Sequence, residues 1–423
     1  MKQKLKLALV GAGERGQYCY APYAKMHGYE IEFVAVADPH KGRREKFVQD
    51  YHVPAEGVFE TAEQFFARPR MADAVLICTQ DSQHYAYACQ AIDLGYSILL
   101  EKPISPSVRE CLDLQRRAEE KGTQIMVCHV MRYTKFYRKL KELIDSGVIG
   151  DVVHVTHTEN VAYWHYAHSY VRGNWHKTAD SSPMILAKCC HDMDILSWLL
   201  GSRCRTVSSF GDLRYFREEN APAGSPARCT DGCPHSGSCP YYAPALYLDD
   251  NTPWPTALTA LGPDQSYEAR KKALEEGPYG KCVFHNDNDV VDHQTVNMEF
   301  EGGATAVFTM SAFTGRCYRT LKIMGTMGEI EGNMDTNTLV LRRFGQPDRA
   351  IGLDPITDRF AGHGGGDAKM MKYVCSLFRD GEPEGEALTN VDASVDSHIM
   401  ALAAEASRLA GGASIELDRF SEC

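Results

Sequence analysis

Three glycines, two acidic residues and a lysine stand where a chain could hold and use a dinucleotide. Gly11, Gly13 and Gly16 follow the apolar run Leu5, Leu7, Ala8, Leu9, Val10 in the spacing G-x-G-x-x-G, with Glu14 and Arg15 between them. Gly11 allows a tight turn, Gly13 lets backbone approach a pyrophosphate, and Gly16 lets a helix pack on the strand. The phosphates would sit at the helix N-terminus, where free N–H groups favour anions. A second apolar run, Ile31–Ala37, ends in Asp38, twenty-two residues past Gly16. A carboxylate there accepts from the adenosine ribose hydroxyls and repels a 2′-phosphate, which points to NAD over NADP. Arg43 and Arg44 nearby are the residues that could still serve such a phosphate. Thr79, Asp81, His84, Glu101, Lys102, His129 and Arg132 all fall at or just past the ends of further apolar runs. A lysine beside a nicotinamide can polarise a substrate hydroxyl or carbonyl. The bland alternative is a surface salt bridge between Glu101 and Lys102.

Two other stretches carry chemistry by composition. Residues 161–177, VAYWHYAHSYVRGNWHK, hold Tyr163, His165, His168, Arg172, Trp175 and His176 among other rings. Such density suits a sugar ring, whose C–H faces stack on aromatics while its hydroxyls need partners. The competing reading is a loop packed by its own aromatics. Residues 218–287 resemble an insertion rich in Pro, Gly and Tyr, with Cys229, Cys233, Cys239 and Cys282. Four thiolates from two loops would make one closed structural zinc site per chain; free thiols are the alternative.

These groups need elements to position them. Runs at 31–37, 72–79, 96–100 and 124–129 alternate with helical patterns at 41–50, 84–94 and 107–121. That alternation predicts a doubly wound parallel sheet, whose ligands bind beyond the carboxyl ends of the strands. After Arg132 the texture changes. A helix near 136–146 leads to an alternating strand at 152–159, and 183–200 reads as one helix carrying Lys188 and His191. Residues 290–343 read as consecutive antiparallel strands, followed by a His363-bearing glycine loop that opens a helix near 368–379, and a last helix at 394–409. His363 could reach a substrate from that loop. The fold class expected is α/β, with a dinucleotide-binding domain at 1–131 and an α+β domain with a large, mostly antiparallel sheet at 132–423.

The chain has 423 residues, 44% hydrophobic and 24% charged, with a net charge of −11. That balance argues against nucleic acid and anionic membranes as partners. No apolar run approaches a spanning helix, and no signal peptide is visible. Fifteen scattered cysteines suit a reduced, cytoplasmic chain.

The glycine loop, the strand-end Glu101-Lys102-Pro103 and the later Cys190-His191-Asp192-Met193-Asp194 resemble the glucose-fructose oxidoreductase/inositol dehydrogenase/rhizopine catabolism (Gfo/Idh/MocA) family over most of the chain. The resemblance implies a Rossmann domain binding NAD, and a lysine at Lys102 that contacts substrate and cofactor. It also implies an acid/base histidine at His191, since an imidazole can take a hydroxyl proton near neutral pH; the alternative is a merely structural histidine. Ala187 departs from the pattern, since many members carry an aspartate there. The activity implied is NAD-dependent oxidation of a sugar, sugar derivative or cyclitol. Two alternatives accompany it: glycoside hydrolysis by oxidation, elimination, hydration and re-reduction, and a non-enzymatic dinucleotide-responsive regulator. Arg132, Tyr163, His165, His168, Arg172, Trp175, His176, Lys188, His191 and His363 are the candidate substrate contacts. Sheets of the expected size commonly pair between copies, so a homo-oligomer is expected.

Overall fold

The first six strands form one parallel sheet because their runs are largely apolar on both faces, as a sheet covered by helices requires. They are β1 (Leu5–Val10), β2 (Ile31–Ala37), β3 (Val58–Phe59), β4 (Ala74–Ile77), β5 (Ser97–Leu100) and β6 (Ile125–Val127). Their order, β3-β2-β1-β4-β5-β6, reverses beside β1, so the crevice between β1 and β4 opens at the carboxyl edge. The computed structural model describes residues 4–249, 252, 254–353, 362–381 and 389–422.

A nine-stranded sheet follows. It comprises β7 (Val152–Ala162), β8 (Cys204–Asp212), β9 (His293–Phe300), β10 (Thr305–Thr314), β11 (Tyr318–Gly325), β12 (Gly328–Asn333), β13 (Thr338–Arg343), β14 (Arg349–Gly352) and β15 (Ile415–Glu416). Its order is β14-β13-β12-β11-β7-β10-β9-β8-β15. The strands from 293 onward are therefore not a simple meander. β7 enters between β10 and β11, antiparallel to β11 and parallel to β10. Hairpin signals predict neighbours in sequence and are blind to an earlier strand wedged between two later ones.

Three stretches depart from the sequence pattern. The turn after β1 winds with i→i+5 geometry over Glu14–Tyr20, and Ala21 N–H reaches the Gly16 carbonyl at 3.0 Å before Pro22 starts an ordinary helix. The expected helix at 183–200 is broken: Met184–Ala187 and Cys190–Leu200 are separate, with Lys188 and Cys189 at the join. Residues 161–177, for which a loop is the competing reading, are largely helical over Tyr163–Arg172.

One apolar core runs continuously through both sheets. The last long helix, Val391–Leu409, packs against β8, the helix Cys190–Leu200 and the helix Val108–Lys121, so the chain's end returns to the first sheet. Thr389 extends that return by accepting from Val127 N–H at 2.8 Å. The stretch 218–287 holds a separate small core of Cys229, Ala243, Leu246, Tyr247 and Leu274. Among the described residues no helix is long and apolar enough to cross a membrane.

Candidate active site

The glycine loop has the geometry that its spacing demands. Gly11 sits at φ +94°, and a Cβ there would lie 2.5 Å from the Cys78 carbonyl oxygen. A Cβ on Gly16 would meet the Gly11 carbonyl at 2.5 Å, which only glycine tolerates. On Gly13 a Cβ would meet no protein atom within 4 Å, so this backbone faces open space that a pyrophosphate can enter. Asp38 is buried at the end of β2, where Oδ2 accepts from Ala12 N–H at 2.7 Å and Oδ1 from His40 N–H at 2.8 Å. Carboxylate oxygens keep further lone pairs for ribose hydroxyls. These features fit a dinucleotide. Arg44 does not compete for it: its guanidinium donates inward to the Asp38 carbonyl at 2.6 Å and to Glu60 at 3.3 Å.

From this loop Arg15 reaches across the crevice. It donates to Glu101 Oε1 at 2.8 Å and to the fully buried Asp367 at 2.7 Å, three hundred and fifty-two residues away. Tyr20 donates to the same Glu101 oxygen, and Glu101 Oε2 accepts from Lys102 N–H at 3.0 Å. Burial alone would push the Glu101 carboxyl up; Arg15 and Lys102 outweigh it and hold the pKa below the usual range. Glu101 is thus a buried anchor for the strand end, and not the surface partner of the Lys102 ammonium. The Lys102–Pro103 peptide is cis.

Lys102 Nζ donates to the Ala187 carbonyl at 2.6 Å. The break at Lys188–Cys189 gives that carbonyl to the lysine, in place of a helical N–H four residues on. Lys102, at the end of β5, is thereby tied to the segment that leads into His191, itself buried. Next to the join, Lys188 Nζ lies 3.5 Å from Glu159 Oε1 on β7. Arg319 on β11 binds Glu159 at 2.7 Å and grips Asp192 with 2.7 and 3.0 Å contacts, while His157 meets Asp192 at 2.8 Å. Burial raises the Glu159 pKa against the pull of Arg319 and Lys188, whereas for Asp192 Arg319 and His157 outweigh burial and keep it ionised.

The remaining candidates divide by their partners. Asp81 accepts from Trp175 Nε1 at 3.0 Å and from Ser182 at 2.7 Å, joining the end of β4 to the second half of the chain. Thr79 lies half-buried at the same edge. His84 bridges the carbonyls of Pro103 and Thr79 at 2.7 and 3.2 Å, which makes it a brace between strand ends. Tyr163 and His165 are half-buried; the His165 Nδ1 lies 3.3 Å from Cys317 Sγ. Arg132 is held by Asp194 at 2.8 and 2.6 Å. Arg172 is buried and donates to the Lys281 and Tyr241 carbonyls at 2.8 and 2.7 Å. His168 binds the Tyr247 hydroxyl at 2.9 Å and stacks on Tyr279, and burial lowers its pKa to about 3. His176 turns to the Gly173 carbonyl at 2.7 Å. Arg132, His168, Arg172 and His176 are therefore engaged by internal partners. The side chain of His363 lies outside the described residues.

The zinc expectation is corrected. Among the described residues no group of three or more His, Cys, Asp or Glu side chains could hold a metal ion. Cys229, Cys233, Cys239 and Cys282 are free thiols, and burial pushes the Cys239 and Cys282 thiols up, away from the thiolate a metal needs. The stretch 218–287 is knitted by arginines donating to carbonyls: Arg172 as above, Arg228 to Leu274 at 2.6 Å and Arg270 to Tyr247 at 3.0 Å.

Sequence patterns gave no hint of Glu159, Arg319, Tyr20 or Asp367, because each meets its partner from a distant part of the chain. Asp194 and Arg132 did leave a signal: a second aspartate in an otherwise apolar helix needs a buried cation.

Comparison with known proteins agrees with this geometry. The model of an oxidoreductase family with an NAD-binding Rossmann fold matches residues 5–129, and the model of its C-terminal alpha/beta domain matches residues 141–350. YteT of Bacillus subtilis, named as an oxidoreductase, is 27% identical over 368 residues, 81% of each chain. The scyllo-inositol 2-dehydrogenase (NAD(+)) of the same organism is 27% identical over 217 residues, covering 50% of this chain and 58% of that protein. Two solved structures share the fold. An Agrobacterium radiobacter oxidoreductase in complex with NAD+, L-tartaric acid and magnesium gives a TM-score of 0.71 at 15% identity, covering 99% of both chains. An inositol dehydrogenase homolog from Azotobacter vinelandii complexed with NAD+ gives 0.69 at 16% identity, covering 98% of this chain and 97% of that one. With both halves matched in order, the chain belongs to the Gfo/Idh/MocA family of NAD-binding oxidoreductases.

Proposed function

We propose that this chain oxidises a hydroxyl-bearing carbon of a sugar, sugar derivative or cyclitol. NAD, when bound, supplies the hydride acceptor. The observation that carries the reading is the 2.6 Å bond from Lys102 Nζ to the Ala187 carbonyl, which ties a strand-end lysine of one sheet to the segment bearing His191. Gly11, Gly13, Glu14, Arg15, Gly16, Asp38 and Thr79 are the residues to hold the cofactor. Lys102 supplies positive charge to the substrate oxygen and eases loss of its proton. His191 takes that proton. Glu101, kept ionised by Arg15, holds the backbone of Lys102 so that its ammonium meets the ring and not solvent. Lys188 and Glu159 together offer a donor and an acceptor to neighbouring ring hydroxyls. Tyr163, His165 and Trp175 provide the walls.

The test is to incubate the protein with NAD and a panel of cyclitols, free sugars and aryl glycosides, following NADH absorbance and released aglycone. NADH formed with each ring oxidised is the expected result. Aglycone released without net NADH would replace net oxidation by the elimination route. We also propose that copies pair through the wide second sheet, where Val153, Phe210 and Phe313 are exposed, and, from its free cysteines, that the chain works in the cytoplasm. Light scattering giving a monomer mass would refute the pairing.

A further inference from the structure

Behind His191 the protein packs two more imidazoles edge-on. His129, just past the end of β6, is fully buried. Its ring lies edge-on to His191 at 5.8 Å and to His398 at 5.6 Å. His398, on the helix Val391–Leu409, is fixed at both nitrogens: Nε2 accepts from Ile104 N–H at 2.9 Å and Nδ1 donates to the Ser394 carbonyl at 2.7 Å. Ile104 follows Lys102-Pro103 directly, so the column runs from the lysine's own segment to His191.

His129 is anchored differently. Among the described residues neither of its nitrogens has a hydrogen-bond partner, and Asp194 Oδ1 stands 4.0 Å from Nε2. Asp194 is already gripped by Arg132. A buried polar atom left unpaired costs free energy that an apolar side chain in the same place would not. The groups facing His129 are Glu101 and Lys102 from the end of β5, Arg132 from the turn after β6, His191 and Asp194 from the helix Cys190–Leu200, and His398. Burial, reinforced by Arg132 and Lys102, keeps the ring neutral. A charged neighbour would oppose protonation of His191, and a neutral one does not.

We propose that His129 is a positioning residue for proton transfer, its ring backed by the doubly anchored His398 and holding the His191 ring in one orientation. The proposal rests on His191 as the proton-moving group of the reaction above. Ring shape and neutrality are what the role requires, so phenylalanine should serve where alanine does not.

The experiment compares wild-type protein with His129→Ala, His129→Phe and His191→Ala. Turnover is read with the panel member that yields most NADH, NAD affinity by calorimetry, and the His191 tautomer by ¹⁵N shifts of its ring. His129→Ala should lower kcat about 10–100-fold, because a small misplacement of a catalytic group costs that much. KM and NAD affinity should stay within about twofold. His129→Phe should recover most of the loss, and a single His191 tautomer should persist in it but average in His129→Ala. A kcat for His129→Ala within about twofold of wild type, or equal impairment of the two variants, overturns the proposal. Should His129→Ala not fold, His129→Phe decides alone: near wild-type turnover with one tautomer supports the role, and a loss of about tenfold or more overturns it. Full turnover in His191→Ala would instead remove the proton step of the proposed function, whatever the His129 variants do.

Discussion

The carboxyl edge of the parallel sheet and the stretch 218–287 both gather side chains able to do chemistry, yet different forces place them. At the edge, backbone geometry positions each group: Gly11 at φ +94°, Asp38 at a strand end, Lys102 at another. In and around 218–287, Arg172, Arg270 and His168 are buried against carbonyls and a tyrosine, and the cysteines are free thiols. Spacing specifies chemistry where it dictates backbone shape. Composition alone specifies only that partners will be found.

The contrast can be broken first at Lys102. Replacement by alanine should lower turnover about 10²–10⁴-fold while NAD still binds, because the proposed function puts the lysine on the substrate and the cofactor on the glycine loop. Loss of NAD binding in that variant would blur the distinction. Arg172→Leu attacks the other region. It leaves the Lys281 and Tyr241 carbonyls unpaired, at about 1–3 kcal/mol each, so hydrogen exchange should accelerate across 229–282 and not in β1–β6. Equal acceleration in both would show that 218–287 is not a separate cooperative unit.

Acid should sharpen the same contrast. His168 and His398 have pKa values lowered by burial to about 3 in the fold, against about 6.5 in an unfolded chain. The unfolded state therefore binds more protons between those values. The stability each neutral ring contributes is complete above about pH 6.5 and falls as pH drops towards 3, by about 2 kcal/mol per ring at pH 5. His168→Phe should flatten the fall of the urea midpoint between neutral pH and pH 5, and an unchanged slope would contradict the shift. The smallest effect is cofactor choice. Asp38 should favour NAD over NADP by about tenfold in calorimetry, and Asp38→Ser should narrow the ratio.

Much of the fold was legible because it is written locally. The run-glycine-run pattern to Asp38 and the alternation as far as Ile125–Val127 follow from residues a few positions apart. The site was only partly legible. Arg15 meets Asp367 across most of the chain, and Glu159 meets Arg319 only because β7 lies beside β11. The break that frees the Ala187 carbonyl falls inside an apolar helical pattern with no glycine or proline to mark it. His168 and Arg172 have residue types suited to a sugar, but type does not reveal that Tyr247 and Tyr241 already engage them.

The most direct test of the central claim follows the hydrogen on the carbon being oxidised. A substrate found in the panel is deuterated at that ring position and turned over once with NAD. The account predicts that the deuterium is recovered in the reduced cofactor, and that His191→Ala and Lys102→Ala slow its transfer without diverting it. Deuterium recovered in water, with none in the cofactor, would contradict hydride transfer.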